Sequence, residues 1–131
     1  MAKKTERKKL TDKLDELCRD IIRIRDDMTC QRCHKQIEKS NAHCSHVIPK
    51  SRGNNLRWDL INLKLLCMYC HLHWWHKDII SGAEWFKSAF PARHKYLESR
   101  KNDMVKFSIV DLKELLNELR EKYNDLQNKN M

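Results

Sequence analysis

An α+β fold, with a small strand, strand, helix core between terminal helices, is predicted by three observations. The cysteines include two Cys-x-x-Cys pairs, Cys30-Gln31-Arg32-Cys33 and Cys67-Met68-Tyr69-Cys70. Between the pairs lie two short, mostly apolar stretches separated by Gly53-Asn54-Asn55. Apolar residues recur at helical spacing before the first pair and again towards the C-terminal end. A Cys-x-x-Cys turn points two thiolates at one ion, and two such turns complete the tetrahedral sulfur shell that zinc accepts. Cys30, Cys33, Cys67 and Cys70 are therefore read as a structural Zn²⁺ site, against the alternatives of two disulfides or paired free thiols.

The 131 residues amount to one domain, and two glycines with two prolines leave little room for a flexible linker. The chain is 34% charged and 40% apolar, so its core is modest and a metal that ties distant segments together contributes to the fold. A formal net charge of +9 points to a polyanionic partner, nucleic acid first. The charged start, Met1 to Lys9, is followed by no apolar signal segment, and no apolar run reaches membrane length. A cytoplasmic location, with reduced thiols and no membrane, is the expectation.

The elements follow in order. Residues 1–9 read as a basic tail. Leu10, Leu14, Leu17, Ile21, Ile24 and Met28 mark an N-terminal helix over 10–28, centred on Thr11 to Asp27, with Cys18 as a small buried side chain. The core spans 30–77, with strands at Ala42–Ile48 and Asn62–Leu66 joined by a basic loop and a short helix opening at His71. Pro49 limits the first strand because it has no amide hydrogen to give. C-terminal helices occupy 81–127: Ala83 to Phe90, Ala92 to Ser99, and a last helix entered at Ser108, whose spacing to Asp111 resembles an N-cap. Trp85, Phe86, Phe90 and Tyr96 read as packing residues. The stripe Leu112, Leu115, Leu116, Leu119, Tyr123 and Leu126 suits either packing on the first helix or a homodimer surface, and 127–131 should fray.

Inside the cysteine frame stand His46, Asn62 and His71. Either histidine alone reads as a hydrogen-bonded structural residue, and the series raises the odds of chemistry. Lys50, Arg52 and Arg57 form a basic group beside His46, suited to backbone phosphates, although ordinary loop charge would look the same. Trp58, Trp74 and Trp75 suit packing better than base stacking.

The arrangement resembles the HNH, or ββα-metal, nucleases, and within them the phage recombination nucleases of the lambda NinG (Rap) type. The resemblance is carried by the His46, Asn62, His71 series in its cysteine frame, by Ser45-His46-Val47-Ile48-Pro49-Lys50-Ser51, and by Leu56-Arg57-Trp58-Asp59. Lys13 to Leu17, Ile22 to Asp26 and Lys106-Phe107-Ser108 extend it over most of the chain. It implies a DNA endonuclease that hydrolyses phosphodiester bonds, acting on branched recombination intermediates, with a phage or prophage origin. It also implies roles: His46 as general base, Asn62 holding the loop and orienting the His46 ring, and His71 binding a catalytic Mg²⁺ or Mn²⁺. Where many members place a metal-binding Asp or His before the base, this chain has Ser45. His43 shares a strand face with Ser45 and is the candidate substitute, with Asp59, His73 and His76 behind it. A zinc-stabilised nucleic-acid-binding module without catalysis is the alternative function, and Ser45 keeps it in play. Zinc-mediated protein interaction through the terminal helices is a third, but it leaves the histidines and the basic loop unused.

Overall fold

The computed structural model describes residues 4–50 and 55–129. Helix α1 (Glu6–Arg25) leads through the first cysteine turn to strand β1 (His43–His46). Strand β2 (Leu63–Leu66), a helical segment over Cys70–Trp75, and helices α2 (Ile79–Ala89), α3 (Pro91–Arg100) and α4 (Ile109–Lys129) follow. No helix among the described residues is long and apolar enough to cross a membrane.

Helix α1 starts earlier than its apolar stripe suggests. The Thr5 side chain caps it by accepting the Lys8 amide. Glu6 to Lys9, read as tail, are therefore helical; Lys4 and Lys8 pair with Asp12, and Arg7 donates to the Phe107 carbonyl. The helix stops at Arg25 rather than Met28 because Asp27 and Met28 turn into the left-handed region (φ 54° and 48°). Its buried face, Leu10, Leu14, Cys18, Ile21 and Ile22, packs in one core with Leu112, Leu116 and Leu119 of α4. The α4 stripe is thus satisfied within one chain. Ser108 and Asp111 cap α4 reciprocally (Ser108 Oγ from the Asp111 amide, 3.0 Å; Asp111 Oδ2 from the Ser108 amide, 2.9 Å), and residues 127–129, expected to fray, continue the helix.

The end of α1 is bonded to the sheet. Arg25 donates to the Leu60 and Leu63 carbonyls (2.7 and 2.6 Å), and buried Asp26 accepts the Leu65 amide (2.9 Å). The two strands are antiparallel, pairing His43 with Leu66, Cys44 with Leu65, Ser45 with Lys64 and His46 with Leu63. Both are shorter than expected: the Ile48 amide leaves the ladder for the Asn62 side chain (2.8 Å). Helix α2 begins at Ile79, where Asp78 accepts the Ser81 amide. It lies so close to the core that a Cβ on Gly82 would meet the Trp75 ring at 2.8 Å. Leu56, Phe86 and Leu97 form a second apolar cluster, with Trp85 and Phe90 packed against it.

Strand β2 is buried along its whole length, including Lys64. The Lys64 ammonium donates to Ser45 Oγ (2.9 Å) and sits 3.4 Å from the centre of the Trp75 ring. Burial pushes its pKa well below the ordinary lysine value. The unfolded chain therefore holds this proton up to about pH 10.4, while the folded chain releases it earlier. Between those two values stability rises with pH. Replacing Lys64 by Met together with Ser45 by Ala removes both polar partners and keeps the packing on Trp75. Urea titration should find this variant as stable as the parent at pH 7, or more stable by up to about 2 kcal/mol. It should also lack part of the parent's gain in stability on going to alkaline pH. A loss of several kcal/mol at pH 7 would contradict this account.

Candidate functional site

The four paired cysteines converge. Their sulfurs lie within 4.8 Å of one another, and Cys33 Sγ is 3.9 Å from Cys67 Sγ. A zinc tetrahedron with Zn–S bonds of about 2.3 Å has edges of about 3.8 Å, so the cluster has the size to hold the ion. Local backbone sets each pair. The first turn closes through the His34 amide to the Cys30 carbonyl (2.9 Å), with His34 in the left-handed region (φ 64°). The Cys70 amide points at Cys67 Sγ (3.4 Å), and Arg32 donates to Cys70 Sγ (3.6 Å) while lying over the Trp74 ring. Without a cation the thiols cannot all ionise: burial and neighbouring thiols push Cys70 up to about 12, while backbone amides outweigh burial at Cys30 and bring it to about 7. A divalent ion removes that conflict. Cys18 and Cys44 stand apart from this cluster; burial raises both, Cys44 to about 11, so they are inert thiols.

The two faces of β1 lead to two different places. His46 and Cys44 line a cleft of about 80 Å³ against α1, shared with Asp15, Cys18, Arg19, Lys50 and Arg57. His46 Nε2 donates to the Arg57 carbonyl (3.0 Å), which fixes the tautomer and leaves Nδ1 as the ring's lone pair. Burial lowers the His46 pKa, so the ring is neutral at pH 7. His43 and Ser45 face the Cys70–Trp75 segment. There His43 Nε2 donates to the Ser40 carbonyl, His43 Nδ1 lies 2.9 Å from His71 Nδ1, and His71 Nε2 lies 3.0 Å from His76 Nε2. With neutral rings the chain runs one way: His76 donates to His71, which donates to His43. Burial and the neighbouring imidazoles hold His71 down to about 4.

Asn62 is fully buried, and its side chain clamps the loop after β1. It accepts the Ile48 amide and donates to the Ile48 and Leu56 carbonyls (3.0 Å each). It makes no hydrogen bond to the His46 ring, whose Nε2 bonds instead to the Arg57 carbonyl. The basic group also divides. Lys50 is exposed at the cleft, whereas the Arg57 side chain, expected on phosphate, makes a two-bond pair with Asp15 (3.0 and 2.6 Å). Arg52 lies outside the described residues. Asp59 accepts from the Tyr96 hydroxyl and the Ile61 amide. His73 stacks near Tyr69, away from the other imidazoles.

Three participants escaped the sequence: Asp15 and Arg19 from α1, and buried Lys64. Arg19 is exposed and has no hydrogen-bonded or ionic partner among the described residues. Purified protein should carry about one zinc ion per chain. Cys67→Ser should lose most of it, with a melting transition several degrees lower or absent, as read by atomic emission and circular dichroism. Full stability of the variant without zinc would contradict a structural metal.

Set against protein-family models, residues 30–74 match that of the HNH endonuclease family. No curated protein and no solved structure matches the chain. The matched stretch takes in both cysteine pairs, β1, β2 and His46, Asn62 and His71, and leaves α1 and α2 to α4 outside it. Over residues 30–74, about a third of its length, the chain is therefore similar to the HNH endonuclease family.

Proposed function

We propose that the chain is a metal-dependent DNA endonuclease that hydrolyses phosphodiester bonds. The observation that carries this reading is the state of His46: its pKa lowered by burial, its Nε2 held by the Arg57 carbonyl, and its ring lining a cleft together with Lys50 and Arg19. In this reading Nδ1 takes a proton from the water that attacks the phosphate, and the Arg57 carbonyl stabilises the imidazolium that forms. Lys50 holds the phosphate by charge, while Asn62 keeps the loop that carries it in register. Among the described residues β1 pairs with one strand only, so a phosphodiester along its open edge would meet side chains from both faces.

His71 and His43 are the residues that would hold a catalytic divalent ion. Their Nδ1 atoms are 2.9 Å apart, joined by a hydrogen bond; to hold an ion there His71 would instead carry its proton on Nε2 and donate it to His76, freeing both Nδ1 lone pairs. Once bound, such an ion offsets charge on the phosphate and the leaving oxygen. Imidazole donors suit Zn²⁺ or Ni²⁺ better than Mg²⁺ or Mn²⁺, so all four belong in the assay. Action on branched DNA in phage recombination rests on the sequence resemblance to NinG-type nucleases. A homodimer would suit such a substrate, but the α4 stripe is already occupied by α1.

A second reading, a nucleic-acid-binding module without catalysis, is favoured by one observation. The Ser45 hydroxyl is held by the Lys64 ammonium, so the position that binds metal in many relatives offers no free ligand here.

Cleavage of supercoiled, linear and branched DNA with each ion decides between them. The parent should cut, and His46→Ala should cut at least about 100-fold more slowly with unchanged DNA affinity. Because burial lowers the His46 pKa, the rate should hold as pH falls past about 6.5, the ordinary histidine value, and decline only below it. Equal rates for parent and variant would remove His46 as base. Binding without cleavage under any ion would establish the second reading.

A further inference from the structure

Helix α1 lies outside the HNH-matched stretch, yet it touches the candidate base through a chain of fixed contacts. We propose that Asp15 is a positioning residue for His46, acting through the Arg57 carbonyl. The kinetic part of this proposal rests on the nuclease reading; the geometric part does not.

Asp15 is a partly buried side chain, 26% exposed, that takes three donors from the loop before β2. Oδ1 accepts Arg57 Nε (3.0 Å) and Trp58 Nε1 (2.8 Å), and Oδ2 accepts Arg57 Nη2 (2.6 Å). Burial pushes the carboxyl up, but the donors from Arg57 and Trp58 outweigh it, and Asp15 stays ionised. A planar guanidinium on a carboxylate by two parallel bonds permits one orientation, and the Trp58 indole adds a third fixed point. Trp58 is itself buried, its ring edge-on to Phe107 at 5.5 Å. Two consecutive side chains are therefore pinned to α1. The peptide carbonyl between them, that of Arg57, has little freedom to move.

That carbonyl accepts His46 Nε2–H. On the other side, Asn62 holds the Leu56 carbonyl, so the residues around Arg57 are fixed from both flanks. Asn62 lies within the matched domain, whereas Asp15 does not, and sequence spacing gives no hint of a contact spanning 42 residues. The pair also gives Arg57 a structural role: its charge is matched by Asp15, and two of its guanidinium donors, Nε and Nη2, are directed at that carboxylate. The functional consequence is directional. Without Asp15 the Arg57 carbonyl drifts, the His46 ring loses its fixed acceptor, and Nδ1 is no longer aimed at one point.

The test uses the full chain loaded with zinc. Asp15→Asn keeps the shape and one acceptor oxygen but cannot take the guanidinium fork. Two quantities are read: exchange of the His46 Nε2 proton with water by NMR, and the split between kcat and KM for DNA cleavage. The proposal expects faster exchange of that proton in D15N, and a loss of about ten- to hundred-fold in kcat with KM unchanged. Arg57→Lys, which breaks the fork from the other side, should do the same, and the double variant should be no worse than either single one. If D15N does not fold, R57K carries the test. Parent-like exchange at His46 Nε2 in the folded variant would overturn the proposal, as would a change in KM alone. Should the parent itself cut no DNA, the nuclease reading fails, and the exchange measurement still decides the role of Asp15.

Discussion

The gathering of four sulfurs at one point is the constraint on which the rest of the structure depends. The first pair lies on a turn tied to the outer edge of β2, where the Gln31 amide donates to the Leu65 carbonyl (2.9 Å). The second pair directly follows the same strand. An ion bound by both would fix β2 at its flank and at its end, and β2 in turn carries β1 by direct pairing. A two-stranded sheet alone is marginal in water. Here Arg25 and Asp26 add bonds from the end of α1, and the α1–α4 pair covers one side, so the sheet becomes a rigid platform.

Rigidity matters because the histidines are divided by the alternation of β1. His46 turns toward α1 and a carbonyl acceptor; His43 turns toward the imidazoles of His71 and His76. A slip of one residue would exchange the two faces and put Ser45 where the candidate base stands. The Ser45–Lys64 contact opposes such a slip, since it places a lysine where only a hydroxyl and an indole face can receive it. The same lysine lowers the appetite of that face for a cation, which sets the sequence departure at Ser45 in physical terms. An ion there would have to be held by imidazoles rather than by Ser45.

Much of this was legible because it is periodic or local. The cysteine spacing, the Leu112 to Leu126 stripe and the Ser108–Asp111 cap each express a contact within a few residues, or a repeat that one face must bury. The Asn62 side chain makes its hydrogen bonds to the backbone of Ile48 and Leu56, contacts that the sequence series alone does not specify. The contacts that were missed are long-range or depend on an unusual winding. Asp15 and Arg57 look like ordinary surface charges until the chain folds. Lys64 in an apolar strand reads as a break in the pattern, not as a buried donor. His76 meets His71 because the segment is wound i to i+5, as in the His76 amide bond to the His71 carbonyl (3.1 Å), and regular α spacing would not pair them.

The central claim is that one phosphodiester sits at the edge of β1 between the His46 cleft and the His43–His71 pair. A crystal structure of the zinc-loaded protein with a duplex carrying a non-hydrolysable linkage tests it most directly. The account predicts a backbone phosphate at that edge, with Lys50 and Arg19 on one side, His71 on the other, and His46 Nδ1 within one water of the phosphorus. DNA seated against α4 or the α2–α3 pair, with β1 bare, would contradict it.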